Sequence, residues 1–178
     1  MKGVKRIAID MDEVTADTMA HFLQLYNREF RTELTTEHLH GRRVLEVIEP
    51  ATRARAREYF QAHDFFADIP VMPGSQEVME GLMKRYEVFI TTAAMDVPCS
   101  FTPKFEWLAR HFPFLPASRI VFCGDKSIVA ADYLIDDDVR HFKRFSGEGI
   151  LYTAPHNVHE TAYRRVNDWE DIRAMFLG

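Results

Sequence analysis

The amino-acid sequence predicts an α/β fold, a parallel sheet flanked by helices with a small helical segment inserted after the first strand. Three observations carry that expectation. Short apolar runs recur along the chain and are continuous rather than alternating, as in a sheet covered by helices on both faces. Over residues 70–178 these runs alternate with stretches of helical spacing. Residues 14–73, which follow the first run, contain no strand-like run at all.

RIAID (6–10) is the first strand. Thr15 to Phe30 reads as one amphipathic helix and Ala51 to His63 as another. IPVMPG, with its prolines and glycine, marks the return to the sheet. Ser75 is placed to cap a helix that carries Val78, Met79, Leu82 and Met83 on one stripe, and YEVFITT (86–92) is the second strand. Thr102-Pro103 opens the next helix, with Phe105, Leu108 and Phe112 directed inward. RIVFC (119–123), DYLID (132–136) and GILYT (149–153) supply three more strands. Asn167 or Asp168 starts a last helix with Trp169, Ile172, Met175 and Phe176 at helical spacing. Residues 1–13 and 74–178 are thus expected to form the α/β core. Residues 14–73 form a helical cap over the carboxyl ends of the strands, the edge where such sheets bind ligands.

A length of 178 residues suits one compact domain with room for a small insert. With 47% apolar and 28% charged residues, the composition is that of an ordinary globular protein and excludes disorder or a disulfide framework. The net charge of −5 excludes a nucleic-acid-coating role, which needs an excess of Lys and Arg. An anionic small substrate then requires cations placed locally at its site. Cys99 and Cys123 form no CxxC pair and are expected to be reduced, buried thiols. The opening MKGVK leads into only three apolar residues before Asp10, and no run approaches the ~18 residues of a membrane span. A cytoplasmic protein without membrane attachment is the expectation.

The chemistry begins at Asp10 and Asp12, two carboxylates two positions apart at the end of the first strand. Side by side they repel unless a cation or a shared proton offsets the charge. A second cluster, Asp136-Asp137-Asp138, ends the run DYLI. If the two strands are neighbours, four or five carboxylates converge, and hard oxygen ligands at that density suit Mg²⁺. Thr92 ends VFITT and can hold a phosphate oxygen, while Lys126, just beyond RIVFC, can offset negative charge. The order Asp-x-Asp, Thr, Lys, Asp-Asp, each following its own strand, is what gives these residues weight. His38, His40, His156 and His159 lack a third ligand at suitable spacing and read as solvated or hydrogen-bonded. Arg53, Arg55 and Arg57 alternate along a helix and read as solvated surface.

DMDEV resembles the DxDx(T/V) signature of haloacid dehalogenase-like phosphatases, and the whole chain is similar to the 5'(3')-deoxyribonucleotidases. The matching pieces run end to end: DMDEVTAD, FFADIPVMPG, VFITTA, PKFEWL, RIVFCGDK, DYLIDD, ILYTAPHN and NDWEDI. The resemblance implies a Rossmann-like parallel sheet with a small helical cap. It also implies a Mg²⁺-dependent phosphomonoesterase acting on deoxyribonucleoside monophosphates. Asp10 is then the nucleophile that forms an aspartyl-phosphate, and Asp12 the general acid and base. Mg²⁺ is held by Asp10, the Asp12 backbone carbonyl and Asp137, with Asp136 supporting from behind. Thr92, Lys126 and the Ala93 N–H bind the transferring phosphoryl group, and Phe66 contacts the substrate. The partner is a small phosphate ester, not a nucleic-acid polymer or a membrane, and a homodimer is compatible with the family.

Several positions depart from the mammalian members. Glu13 stands in place of glycine, Ala93 in place of serine, and Thr18 where a base-contacting Phe is usual. Arg42 and Arg43 stand where aromatic residues lie near the base, and are read here as facing solvent. Lys104 matches a family lysine near the phosphate, and His156-Asn157 matches a late HN dipeptide without a role legible in the sequence. Two other functions are weighed. A sugar phosphate hydrolysed by the same chemistry differs only in what the cap selects. A phosphoryl-accepting receiver carries its acceptor Asp on a middle strand and lacks the long helical insert, so it fits poorly.

Overall fold

The computed structural model describes residues 3–178; Met1 and Lys2 of the opening segment lie outside the described residues, as does the side chain of His63. Strand β1 (Arg6–Asp10) is followed by helix α1 (Thr18–Phe30) and three short helices, α2 (Val44–Val47), α3 (Arg53–Tyr59) and α4 (His63–Ala67). Then come α5 (Ser75–Met83), β2 (Glu87–Thr92), α6 (Phe101–His111), β3 (Ile120–Phe122), β4 (Tyr133–Asp136), β5 (Glu148–Tyr152), β6 (Arg164–Val166) and α7 (Trp169–Phe176). The six strands form one sheet in the order β3-β2-β1-β4-β5-β6, parallel throughout.

Both faces of the sheet are apolar, which is why the strands read as unbroken hydrophobic runs. Ile7, Ile9, Ile135 and Ile150 point into the larger core cluster, while Ala8, Leu134 and Leu151 meet Phe142 and Phe145 on the other face. The larger cluster also takes in Phe22, Tyr26, Leu39, Ile48 and Phe65, so residues 14–73 share one continuous core with the sheet. The two ends of that segment clasp each other: Asp17 N donates to the Pro70 carbonyl and Met72 N to the Thr15 carbonyl, each at 2.8 Å. Two buried indoles reinforce them, Trp169 Nε1 on the Val14 carbonyl and Trp107 Nε1 on the Ile69 carbonyl, both at 2.7 Å. Each indole N–H thereby finds its partner within the core.

Register explains why acids gather at one edge. Ile9 pairs with Ile90 of β2 and with Ile135 of β4, so Asp10, Thr91 and Asp136 lie level at the carboxyl ends of three adjacent strands. The chain runs outward from β1 through β2 to β3, then returns to the opposite side of β1 with β4. Asp10 and Asp136 therefore flank the point where the strand order reverses, where a crevice opens in such sheets.

Local expectations needed correction at several positions. Gly74, at φ 78°, occupies the cap position of α5; Ser75 is the first helical residue, and its buried hydroxyl has no hydrogen-bond partner among the described residues. Helix α1 begins three residues after Thr15, because residues 11–17 wind into a tight turn in which Thr15 N and Ala16 N both donate to the Met11 carbonyl. Asp17 caps the helix, accepting from Ala20 N at 3.0 Å. The helix read over 51–63 covers only Arg53–Tyr59 and follows a 3-10 turn. Arg55 and Arg57 are exposed as read, Arg55 pairing with Glu29 and Glu58 at the surface, whereas Arg53 departs from the reading in that its Nε is buried. Phe105 is 41% exposed; the inward stripe of α6 is Lys104, Trp107 and Leu108. Cys123 is buried, but Cys99 lies exposed on a surface turn. At the start of α7, Asp168 is the capping residue, accepting from Asp171 N at 2.8 Å.

Candidate active site

A cavity of about 390 Å³ opens above the carboxyl ends of β1, β2 and β4. Asp10, Asp12, Glu13, Ala93, Asp136 and Asp137 line it from the sheet side; Thr18, Met19, Leu39, Arg42, Arg43, Phe60 and Phe66 line it from the segment 14–73. Its walls thus combine an acidic floor with an apolar, partly cationic roof.

Oxygens of Asp10, Asp136 and Asp137 lie within 4.8 Å of one another, and all three residues are buried. Lys126 follows β3 and is 1% exposed; its ammonium bonds the Asp10 carboxylate and reaches Asp136 Oδ2 at 2.6 Å. Asp136 Oδ1 also accepts from Asp138 N at 2.9 Å. Asp137 is different. Among the described residues its carboxylate receives no hydrogen bond, and His156 Nε2, of an imidazole whose pKa burial lowers, lies 3.7 Å away.

Asp12 projects away from that cluster. One oxygen accepts from Thr18 Oγ1 at 3.1 Å, and the other bonds the ammonium of Lys104. Lys104 is buried on α6, also donates to Thr92 Oγ1 at 3.1 Å, and lies 5.0 Å from the centre of the Phe66 ring. Thr92 and Lys126 sit beneath the floor, whereas Ala93 and Phe66 line the cavity itself.

Five carboxyl groups, Asp10, Asp12, Glu13, Asp136 and Asp137, face two ammonium groups, Lys104 and Lys126. The imbalance is felt in their protonation. Burial pushes Asp10 up to about 7, with Asp136 and Asp12 adding to the effect and Lys126 opposing it. Burial likewise lifts Asp137 well above the carboxylate range, helped by Asp136 and Asp10. Burial works against the Lys126 ammonium, yet the carboxylates of Asp10 and Asp136 raise its pKa above that of an ordinary lysine. A crowded set of buried oxygen donors, one of them without a hydrogen bond, fits a hard divalent cation.

Glu13 occupies a left-handed conformation, φ 62°. That region costs a residue with a side chain roughly 1–2 kcal/mol, which is the physical reason a glycine suits the position. Here the turn is held by Glu13 N on the Ala16 carbonyl at 2.8 Å, and the carboxyl accepts from Met19 N in the first turn of α1 at 2.6 Å. Burial, followed by the charge of Asp17, pushes the Glu13 carboxyl up to about 8.

The two arginines read as facing solvent are exposed, and they also line the rim of the cavity. Arg43 pairs with Asp138 at 2.8 Å, and Arg42 donates to the His38 carbonyl at 3.0 Å. Arg140 shares Asp138 with Arg43 and also reaches Asp96. Thr18, standing where an aromatic base contact was the comparison, is tied to Asp12. His38 bonds Thr35, and His156 Nε2 lies 3.2 Å from the Asp137 carbonyl. Sequence reasoning missed the bond from Thr18 to Asp12 and the depth at which Lys104 is buried. A lysine at position 104 of a stripe continued by Trp107 and Leu108 was the available signal.

Comparison with known proteins follows the same lines. The family described as "5' nucleotidase, deoxy (Pyrimidine), cytosolic type C protein" matches residues 4–178. A Staphylococcus aureus protein is 45% identical over 173 residues, 97% of this chain and 96% of its own. The 5'(3')-deoxyribonucleotidase of Bacillus subtilis is 38% identical over 174 residues, 97% of this chain and 99% of its own. Among solved structures, a haloacid dehalogenase-like hydrolase from Streptococcus pneumoniae superposes with a TM-score of 0.63 at 13% identity, covering 99% of this chain and 100% of its own. A haloacid dehalogenase-like protein from Agrobacterium tumefaciens gives 0.65 at 13% identity, covering 98% of each chain. At that identity the likeness concerns the fold alone.

Proposed function

The chain belongs to the 5'(3')-deoxyribonucleotidase family of haloacid dehalogenase-like hydrolases, and from that premise we propose that it is a Mg²⁺-dependent phosphomonoesterase that removes phosphate from deoxyribonucleoside monophosphates. The observation that carries the reading is the meeting of Asp10, Asp136, Asp137 and Lys126 at one strand edge beneath a cavity.

In this reading Asp10 attacks the phosphorus and forms an aspartyl-phosphate as the bond to the sugar oxygen breaks. Asp12, aimed into the cavity by Thr18 and Lys104, protonates the departing oxygen. It then takes a proton from the water that cleaves the intermediate and releases phosphate. Thr92, Ala93 and Lys126 hold the phosphoryl oxygens, each contact worth ~2–4 kcal/mol of barrier by analogy with other such groups. Asp10, the Asp12 carbonyl and Asp137 are the ligands assigned to Mg²⁺, with Asp136 fixing Lys126 behind them. When bound there, the ion offsets the charge of carboxylate and phosphate, which otherwise repel. Residues 14–73 act as the cap that covers the substrate, and residues 1–13 with 74–178 as the catalytic core. Phe66, Phe60, Leu39 and Met19 offer the nucleoside an apolar surface.

Among the described residues no helix is long and apolar enough to cross a membrane. The test is phosphate release from a panel of esters in Mg²⁺: pyrimidine and purine, deoxy and ribo, 5' and 3' monophosphates, and a sugar phosphate. At least one deoxyribonucleotide is expected to exceed the sugar phosphate in kcat/KM by about tenfold or more. A sugar phosphate turned over faster than every nucleotide contradicts the substrate class while leaving the chemistry in place.

A further inference from the structure

Asn157 is a buried residue that none of the catalytic steps uses, yet its amide is bonded to capacity. Nδ2 donates to the carbonyls of Asp137 and Tyr152, each at 2.8 Å. Oδ1 accepts from Ala154 N at 3.2 Å and from Arg165 Nη1 at 2.9 Å. Both donors and both lone pairs are therefore engaged. Arg165, on the edge strand β6, is itself pinned to Thr153 Oγ1 at 3.0 Å and to the Asn157 carbonyl at 2.9 Å. A chain of bonds thus runs from β6 through Arg165 and Asn157 to the main chain of Asp137.

Asp137 needs such a restraint. The ladder between β4 and β5 ends at the pair Asp136 and Leu151, so the Asp137 carbonyl lies beyond the sheet's own hydrogen bonds. The residue is 8% exposed, and its carboxylate, without a hydrogen bond among the described residues, faces Asp10 and Asp136. Repulsion from those carboxylates favours swinging it outward unless the backbone is held. We propose that Asn157, braced by Arg165, is a positioning residue that fixes the Asp137 main chain so that its carboxylate stays in the metal cluster. The proposal rests on the reading of Asp137 as a metal ligand.

The test is a Mn²⁺ titration of the full chain without substrate, followed by electron paramagnetic resonance, with Mg²⁺ as competitor. Asn157→Asp keeps the shape and offers Arg165 a carboxylate, but removes both donors facing the carbonyls; Asn157→Ala removes every side-chain bond. Both are expected to weaken Mn²⁺ and Mg²⁺ binding about 10- to 100-fold while still melting cooperatively. Activity lost at low Mg²⁺ is then regained as Mg²⁺ is raised. Added negative charge alone predicts tighter cation binding in Asn157→Asp, so the direction separates positioning from electrostatics. Affinity within about twofold of wild type in a folded variant overturns the proposal. Failure of both variants to fold overturns it too, by assigning Asn157 to the fold alone. Asp137→Asn is titrated alongside. If wild-type affinity survives that change, the ligand assignment itself fails; if it is lost while the Asn157 variants keep theirs, only the positioning role fails.

Discussion

Asp10→Asn is expected to lower deoxyribonucleotide hydrolysis at least about 10³-fold, because an amide cannot form the acyl phosphate on which the reaction turns. The same variant is expected to gain stability, which separates a chemical role from a structural one. The Asp10 carboxyl is pushed up to about 7 chiefly by burial, so its ionised form is costly in the folded metal-free protein. The sign follows from the two end states. Well below the unfolded pKa the group is protonated in both states and contributes nothing to the balance. As pH rises through the folded value the penalty becomes complete. Urea unfolding of metal-free protein should therefore find Asp10→Asn more stable than wild type at about pH 8, with the difference vanishing by about pH 3. Phosphate release within about tenfold of wild type would place the nucleophile elsewhere.

Lys126→Met is expected to fail in both respects. Lys126 is 1% exposed and is the cation shared by Asp10 and Asp136, themselves buried. Removing the cation of such a network leaves its buried carboxylates uncompensated and costs about 3–5 kcal/mol. Loss of the phosphoryl contact should add about 2–4 kcal/mol to the barrier, roughly 30- to 10³-fold in rate. A divalent ion supplies positive charge at the same carboxylates, so Mg²⁺ should restore part of the lost stability but not the rate. Unfolding in urea with and without Mg²⁺, beside phosphate release, checks both parts. A loss below about 1 kcal/mol contradicts the view that this lysine compensates the cluster.

The strands with both faces buried were legible because burial imposes unbroken apolar runs, from Ile7–Ile9 to Ile150–Leu151. Strand β6 was not. It is three residues at the sheet edge, two of them arginines, and only Val166 enters the core. The stripe of α6 was misread at Phe105 because Lys104 takes an inward position for its bonds to Asp12 and Thr92, which interrupts the apolar period. The cap of α5 was displaced by one residue because Gly74 supplies a positive φ that Ser75 does not adopt.

Within the site, the acids could be read because each ends its own strand and parallel register brings strand ends level. Thr18 and Asn157 could not, since their partners are reached only through tertiary packing: Thr18 across the turn to Asp12, Asn157 across twenty positions to the Asp137 carbonyl. Arg42 and Arg43 look like any solvated pair in the sequence, and only the placement of residues 14–73 brings them to the rim.

The central claim, a divalent ion shared by the first and last acidic clusters, is tested most directly by anomalous diffraction from crystals grown with Mn²⁺. One strong peak is expected between the carboxylates of Asp10 and Asp137 and the Asp12 carbonyl, at ~2.1 Å from each, and it should vanish in Asp137→Asn. Ordered crystals in saturating Mn²⁺ with no peak at those oxygens, or with the ion bound elsewhere, would contradict it.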